Sequence, residues 1–391
     1  MSRRTSVLVA VGLLAVALGL APLLPDAGSV AGRADRARLT ESRPTATAQT
    51  ASPGRGEVTP RMRREIERVV ASGRSLGPDA GRVTPRMLVD TQVRCAVFAG
   101  QRYCLGIGWT QDSEAEVRDR IAAAASSTLR RTPATTTGDL DLVAGLQAAA
   151  SRSESERVAG ERAELTDAAA SVAKVWQLRH EIQGVPLPAK YAALARPKDK
   201  GRVYPRTARI MKGSRTLAQN RSWWCGPTAM QSIAWGWDHD KRPQSYWAKR
   251  LGTTTSGSSI SEIVRQVNRS TGYDSPRRAG PYVVLDISDF TYRQWWRMTK
   301  RHIAKLRAPL VLHPQLLSRF YPYLSFDASG HFQVGRGYRD RRNGVEKIGF
   351  FEPWNQQAFD PGSPYVERVQ WRSAYRSFRA NKAHPMQNLG L

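Results

Sequence analysis

"NRSWWCGPTAMQSIAWGW", residues 220–237, decides how the chain is read. Gly226, Ala229, Met230, Ile233, Ala234 and Trp237 recur at three- and four-residue spacing, which predicts a helix with one apolar face turned inward. Pro227 suits the first turn, where a missing N–H costs nothing. Cys225 therefore opens the helix, where unpaired N–H groups and the helix dipole favour an anion such as a thiolate. Position alone leaves two readings open, a reactive nucleophile or a buried inert cysteine.

The whole chain bounds the choice. Its 391 residues, 41% of them hydrophobic, suffice for a sizeable core and about two domains. Arg3 and Arg4, the apolar run Val7 to Leu24 and the small residues Ser29-Val30-Ala31 predict an export signal over residues 1–31 and a secreted protein. No later apolar run reaches the ~18 residues of a spanning helix, so no transmembrane partner is implied. The formal net charge is +27, and residues 201–391 hold 31 Lys and Arg against 12 Asp and Glu, with nine of the eleven Trp. Such a balance fits an anionic partner, for instance a cell-wall polymer; no specific nucleic acid is indicated. Part of the basicity also fits the Arg- and Ala-rich composition of the chain as a whole.

Of three cysteines, Cys95 and Cys104 lie in "CAVFAGQRYC", where Ala96–Phe98 and Arg102–Leu105 form two strands joined by an Ala-Gly-Gln turn. Facing positions of such a hairpin come within bonding range, so a Cys95–Cys104 disulfide is expected and Cys225 is left free.

Residues 32–87 read as a disordered or weakly ordered linker, with a short helix near 61–72. "TPRM" occurs there twice, at Thr59 and Thr84, too little for a repeat architecture. Residues 88–200 read as a module of the disulfide hairpin followed by helices at 114–131 and 139–182, the second broken near Ser151–Ser153. Prolines between Gln183 and Gly201 place a boundary near residue 200. Beyond it, helices near 226–237, 258–269 and 289–307 alternate with short apolar runs, "PYVVLDI", "APLVLHP", "HFQVGRGY" and "VEKIGFF". That order predicts an α+β domain over 201–391.

A thiol nucleophile needs a base, and His239, His302, His313, His331 and His384 are the candidates. In "HFQVGRGY" the apolar Phe332 and Val334 take one face, so His331 and Gln333 take the other. A six-residue loop, Arg339–Gly344, pairs Tyr338 with Val345 and sets His331 opposite Glu352; a two-residue Asn343-Gly344 turn sets it opposite Gln356 instead. No phosphate loop or metal-ligand cluster is present, His239 between Asp238 and Asp240 being too sparse, and no cofactor is expected.

"QNRSWWCGPTAM", "GHFQVGRGY" and "FFEPWN", in this order, resemble the papain-like cysteine peptidases related to the bacteriocin leader (double-glycine) peptidases, family thirty-nine of the cysteine peptidases. The resemblance spans roughly 205–375. It implies a papain-like domain with its catalytic helix packed on an antiparallel sheet. It further implies Cys225 as nucleophile, His331 as general base, Gln219 as oxyanion donor and Glu352 as the acidic member, acting on peptide or isopeptide bonds. The family usually has Asp where Glu352 stands, which leaves nearby Asn355 as an alternative orienting group. The second reading is a non-catalytic basic protein that binds cell wall or another anionic polymer on a degenerate peptidase fold.

Overall fold

A computed structural model describes residues 52–128, 142–195, 204–341, 344–359, 361–362 and 365–391; the expected export signal lies outside them. Helix α1 (Pro60–Ala71) and α2 (Pro85–Gln92) come first. Each begins at one copy of "TPRM". Thr59 and Thr84 are the N-caps, accepting from the N–H of Met62 and Met87, and the following Pro takes the first helical position. The recurrence is thus a helix-start signal used twice. Helix α1 is the short helix expected near 61–72, and Met62, Ile66, Val69 and Val70 give it an apolar face that is buried.

Cys95 and Cys104 face each other across β1 (Cys95–Phe98) and β2 (Gln101–Cys104) and are bonded, their Cα atoms 4.0 Å apart. The turn between them is Ala99-Gly100, one residue shorter than expected, with φ of 49° and 84°. Two left-handed residues give the mirror-type turn that matches strand twist.

Strand β3 (Gly108–Thr110) pairs with β2, and helices α3 (Glu114–Thr128), α4 (Leu142–Ala150) and α5 (Glu154–Gln183) follow. A capping box of Ser153 and Glu156 starts α5. Next come β4 (Thr207–Arg209), α6 (Cys225–Asp238), α7 (Gln244–Arg250), α8 (Ile260–Ser270), β5 (Val284–Asp286) and α9 (Tyr292–Lys300). The chain closes with β6 (Leu310–Leu312), β7 (Gln333–Arg339), β8 (Lys347–Phe351), α10 (Gln356–Phe359), β9 (Val369–Ser373), α11 (Ala374–Ala383) and β10 (Asn388–Gly390).

The strands form one sheet in the order β1-β2-β3-β5-β10-β6-β7-β8-β9, with β4 on β7. It is mixed rather than wholly antiparallel, since β3 and β5 run parallel through Trp109 and Leu285. Gly108, at φ 103°, permits that approach: a Cβ there would stand 2.5 Å from the Val284 carbonyl oxygen. Alternation along the strands sorts side chains into two cores. Leu310, Leu312, Ile348, Phe350 and Leu389 belong to the core that also takes Leu165, Val172, Trp295 and Phe378 from α5, α9 and α11. Val284, Val311, Val334 and Phe351 belong to the other, with Ala229, Ile233, Ile263 and Val267 from α6 and α8. A third, smaller core surrounds the disulfide, with Leu88, Val117, Ile121 and Leu146.

The boundary expected near residue 200 does not divide the sheet: β1–β3 precede it, and β5 pairs with β3 across it. Gln49–Leu391 form one compact unit. Its polar seam joins Arg120 on α3 to Asp286 on β5, with nitrogen–oxygen distances of 2.6 and 3.3 Å. The Asp286 side chain has no exposure. Burial holds its carboxyl above the usual range, and Arg120 opposes that shift.

Removing one member of a buried pair leaves the other charge uncompensated. Arg120→Ala is expected to cost about 3–5 kcal/mol in urea unfolding. Arg162→Ala, which breaks an exposed pair with Glu67, should barely move the midpoint. Equal effects of the two substitutions would show that the seam does not hold the two parts of the sheet together.

Candidate active site

Helix α6 starts at Cys225 and ends where His239 turns left-handed at φ 69°. Every residue from Cys225 to Ala234 is buried, so the helix runs through the core rather than showing it one apolar face. Gln231 is part of the reason, since its side-chain amide donates to the Arg242 carbonyl of the next turn at 2.6 Å. The first ladder bond runs from the Thr228 N–H to the Trp224 carbonyl, at 3.0 Å. The N–H groups of Cys225 and Gly226 therefore stand ahead of the ladder, beside the thiol, and Pro227 has none to leave over. Gly226 is required by packing: a Cβ there would stand 2.5 Å from Ser258 Oγ and 2.7 Å from Ser258 Cβ.

The sheet brings the acid–base pair to this helix end. His331 precedes β7 and has no solvent exposure, as does Cys225. Glu352 follows β8 and is equally enclosed. The strand register is neither of those expected: Tyr338 pairs with Ile348, and an irregularity at Gly335–Gly337 leaves Val334 opposite Phe351. His331 and Glu352 thus lie beyond the paired stretch, but their side chains meet, His331 Nε2 being 2.6 Å from Glu352 Oε1. The ring's other nitrogen, Nδ1, makes no conventional hydrogen bond. Burial alone pulls the imidazole down, but Glu352 and the Cys225 thiol outweigh it and hold His331 up at about 10.

The Glu352 carboxylate is fully occupied. Oε1 also accepts from the Trp354 N–H at 2.9 Å. Oε2 accepts from the Tyr323 hydroxyl at 2.6 Å and Gln333 Nε2 at 2.6 Å. Burial pushes this carboxyl up, but the His331 charge and these donors more than reverse the effect and leave it below its ordinary value.

The other sequence candidates fall elsewhere. Asn355 donates to the Gln219 carbonyl at 3.4 Å and accepts from Arg368 at 3.0 Å, so the partner of His331 is Glu352. Gln219 is buried beside the site, its N–H on the Pro353 carbonyl, yet its side-chain amide donates to the Arg221 and Ser222 carbonyls at 2.9 and 2.7 Å. In this arrangement the amide braces the 220–224 loop, and its donors are not turned to an oxyanion. His302 bonds the Pro309 carbonyl, His313 bonds Asn388, the His384 ring lies on His313, and His239 caps α6 beside Arg215.

Tyr323 was missed in the sequence, because the 314–330 loop carries no periodicity. Gln333 carried a signal: it shares the face of His331 two residues on. Among the described residues, no cluster of three or more His, Cys, Asp or Glu could hold a metal, and no helix is long and apolar enough to cross a membrane.

Gly226→Ala is expected to destabilise the protein by about 1–3 kcal/mol through overpacking on Ser258. Thermal melts of Gly226→Ala and Gly226→Ala/Ser258→Gly check this. Recovery in the double variant identifies the contact, and its absence would place the need for glycine elsewhere.

Residues 212–380 match the model of the Peptidase_C39 like family, which relates this stretch to the C39-like peptidases. No curated protein and no solved structure matches the chain.

Proposed function

We propose that the C39-like stretch is the working part of a secreted thiol hydrolase that cleaves peptide or isopeptide bonds. The observation that carries the reading is the line of three buried side chains: Cys225 at the start of α6, His331 beside it, and Glu352 on the far side of the imidazole. The Cys225 thiolate attacks the substrate carbonyl carbon, and the carbonyl electron pair moves onto oxygen. The N–H groups ahead of the α6 ladder stabilise that oxyanion. The bond to the leaving amine breaks as His331 gives it a proton, which leaves an acyl thioester. Water, giving a proton to His331, then releases the acid and restores the thiol. Because Cys225 and His331 are both enclosed, a substrate reaches them only when the surrounding side chains draw apart. Acyl transfer to an amine in place of water uses the same steps.

Cys225→Ala and His331→Ala should each abolish turnover of a peptide substrate while the fold, followed by circular dichroism, survives; Glu352→Gln should be milder. Groups of one unit are non-additive. A Cys225→Ala/His331→Ala variant much slower than either single variant would therefore dissolve the unit.

The pH dependence follows from the two directions of shift. His331 is raised, so the stability and proton-donating capacity of the pair are complete below its ordinary 6.5 and lost as pH rises through about 10. Glu352 is lowered, so its contribution is present above its ordinary 4.5 and lost as pH falls through its depressed value. Activity should therefore persist well above neutrality, and a pH–rate profile that falls off on the alkaline side near 7 contradicts the assignment.

A second reading, a non-catalytic binder of an anionic polymer, is favoured by one surface feature. The half-exposed Trp235 has the Arg215 and Lys241 cations 4.6 and 4.4 Å from its ring centre. Iodoacetamide separates the two readings. Labelling of Cys225 at neutral pH that stops in His331→Ala supports the hydrolase, and a thiol inert until unfolding supports the binder.

A further inference from the structure

Two side chains outside the expected Cys–His–acid set hold its acid. Gln333 has no solvent exposure and lies on β7 two residues after His331. Its Nε2 donates to Glu352 Oε2 at 2.6 Å. The Tyr321 hydroxyl, 3.4 Å from Gln333 Oε1, fixes which end of that amide faces the carboxylate. Tyr323 approaches from the loop between β6 and β7, and its hydroxyl donates to the same Oε2 at 2.6 Å. The Arg372 guanidinium lies 5.1 Å from the Tyr323 ring centre and backs it. With His331 and the Trp354 N–H on Oε1, all four lone pairs of the carboxylate are in use.

The need for such a clamp follows from the length of the side chain. Glutamate has one more rotatable bond than aspartate, so a free Glu carboxylate swings through a wider arc. Turning Oε1 away from His331 would break the bonds to Tyr323 and Gln333 as well. The imidazole is oriented only as well as the carboxylate behind it.

We infer that Tyr323 and Gln333 are positioning residues: by holding Glu352 Oε2 they aim Oε1 at His331 and so keep the ring's other nitrogen turned toward Cys225. The inference rests on the hydrolase reading for its consequence in turnover, but the placement of His331 can be measured without any substrate.

The variants are Tyr323→Phe, which removes one oxygen, and Gln333→Leu, which removes both polar ends of a buried amide. Each should lower kcat about tenfold, the loss of one hydrogen bond to a charged group, with little change in KM. Both limbs of the pH–rate profile should close in by about one unit, the acid limb moving up because the carboxylate has lost a donor and the alkaline limb moving down because the imidazolium is less well held. Histidine-labelled protein gives the substrate-free readout, in which His331 should titrate below its wild-type value in both variants. Ser318→Ala serves as control: it removes the hydroxyl that braces the same loop on Asp327 at 2.8 Å and should leave limbs and titration in place.

A lower rate with unmoved limbs and an unmoved His331 titration would overturn the inference, as would equal shifts in Ser318→Ala. If Gln333→Leu does not fold, Tyr323→Phe decides alone. If no substrate is ever turned over but His331 still titrates lower in the variants, the hydrolase reading fails and the positioning role stands.

Discussion

The Glu352 carboxylate is a full charge with no access to solvent. Such a group persists only where every lone pair is occupied, since an unpaired buried charge costs several kcal/mol. Four donors meet to occupy it. The start of β7 brings Gln333, with His331 just ahead of it, the loop before brings Tyr323, and the turn after β8 folds the Trp354 N–H back. Each of these has its place because β7 and β8 pair over most of their length. The hydrogen bonding of one carboxylate thus ties the arrangement of the site to the register of the sheet.

That sheet is larger than the stretch related to the C39-like peptidases. The family match covers 212–380. Strands β1–β4 lie before it and β10 after it, and β10 sits between β5 and β6 in the middle of the sheet. Without β10, β5 and β6 would have no partner between them, and without α3, which also precedes the match, Asp286 would lose Arg120. Residues outside the match are therefore part of the platform on which α6 and β7 rest. The disulfide closes only the Cys95–Cys104 hairpin; the join to the rest includes the parallel β3–β5 pair with Gly108, the buried ion pair, and the core that α5 shares with β6, β8 and β10.

Much of this was legible in the sequence where local chemistry dictates structure. The helix after Cys225 was visible in its apolar spacing, and the bonded hairpin in the placement of Cys95 and Cys104. Both His331 and Glu352 were singled out, although through a register the structure does not have. The side chains still meet because each lies past the end of the ladder, where reach matters more than pairing. Less legible were features fixed by distant partners. The parallel pairing of β3 with β5 depends on residues about 175 positions apart in the chain. Nothing in the 314–330 loop marks Tyr323 as a donor to Glu352. Within the linker read over residues 32–87, the short helix expected near 61–72 corresponds to α1, whose apolar face shows in the spacing of Met62, Ile66, Val69 and Val70.

Enclosure of the Cys225–His331–Glu352 line has two opposing consequences. Attraction between charges is stronger away from water, which favours a thiolate facing an imidazolium. The cost of removing those charges from water is also larger, and a pair alone would not meet it. Glu352 changes the balance, because it faces the imidazolium from the other side and is itself stabilised by three further donors. Where the thiol ionises, as the proposed hydrolase requires, one positive ring lies between two anionic groups, with the helix N–H groups beside the sulfur. Its net charge is close to that of a single carboxylate, and that carboxylate has its hydrogen bonds complete. Such a site can be charged and buried at the same time.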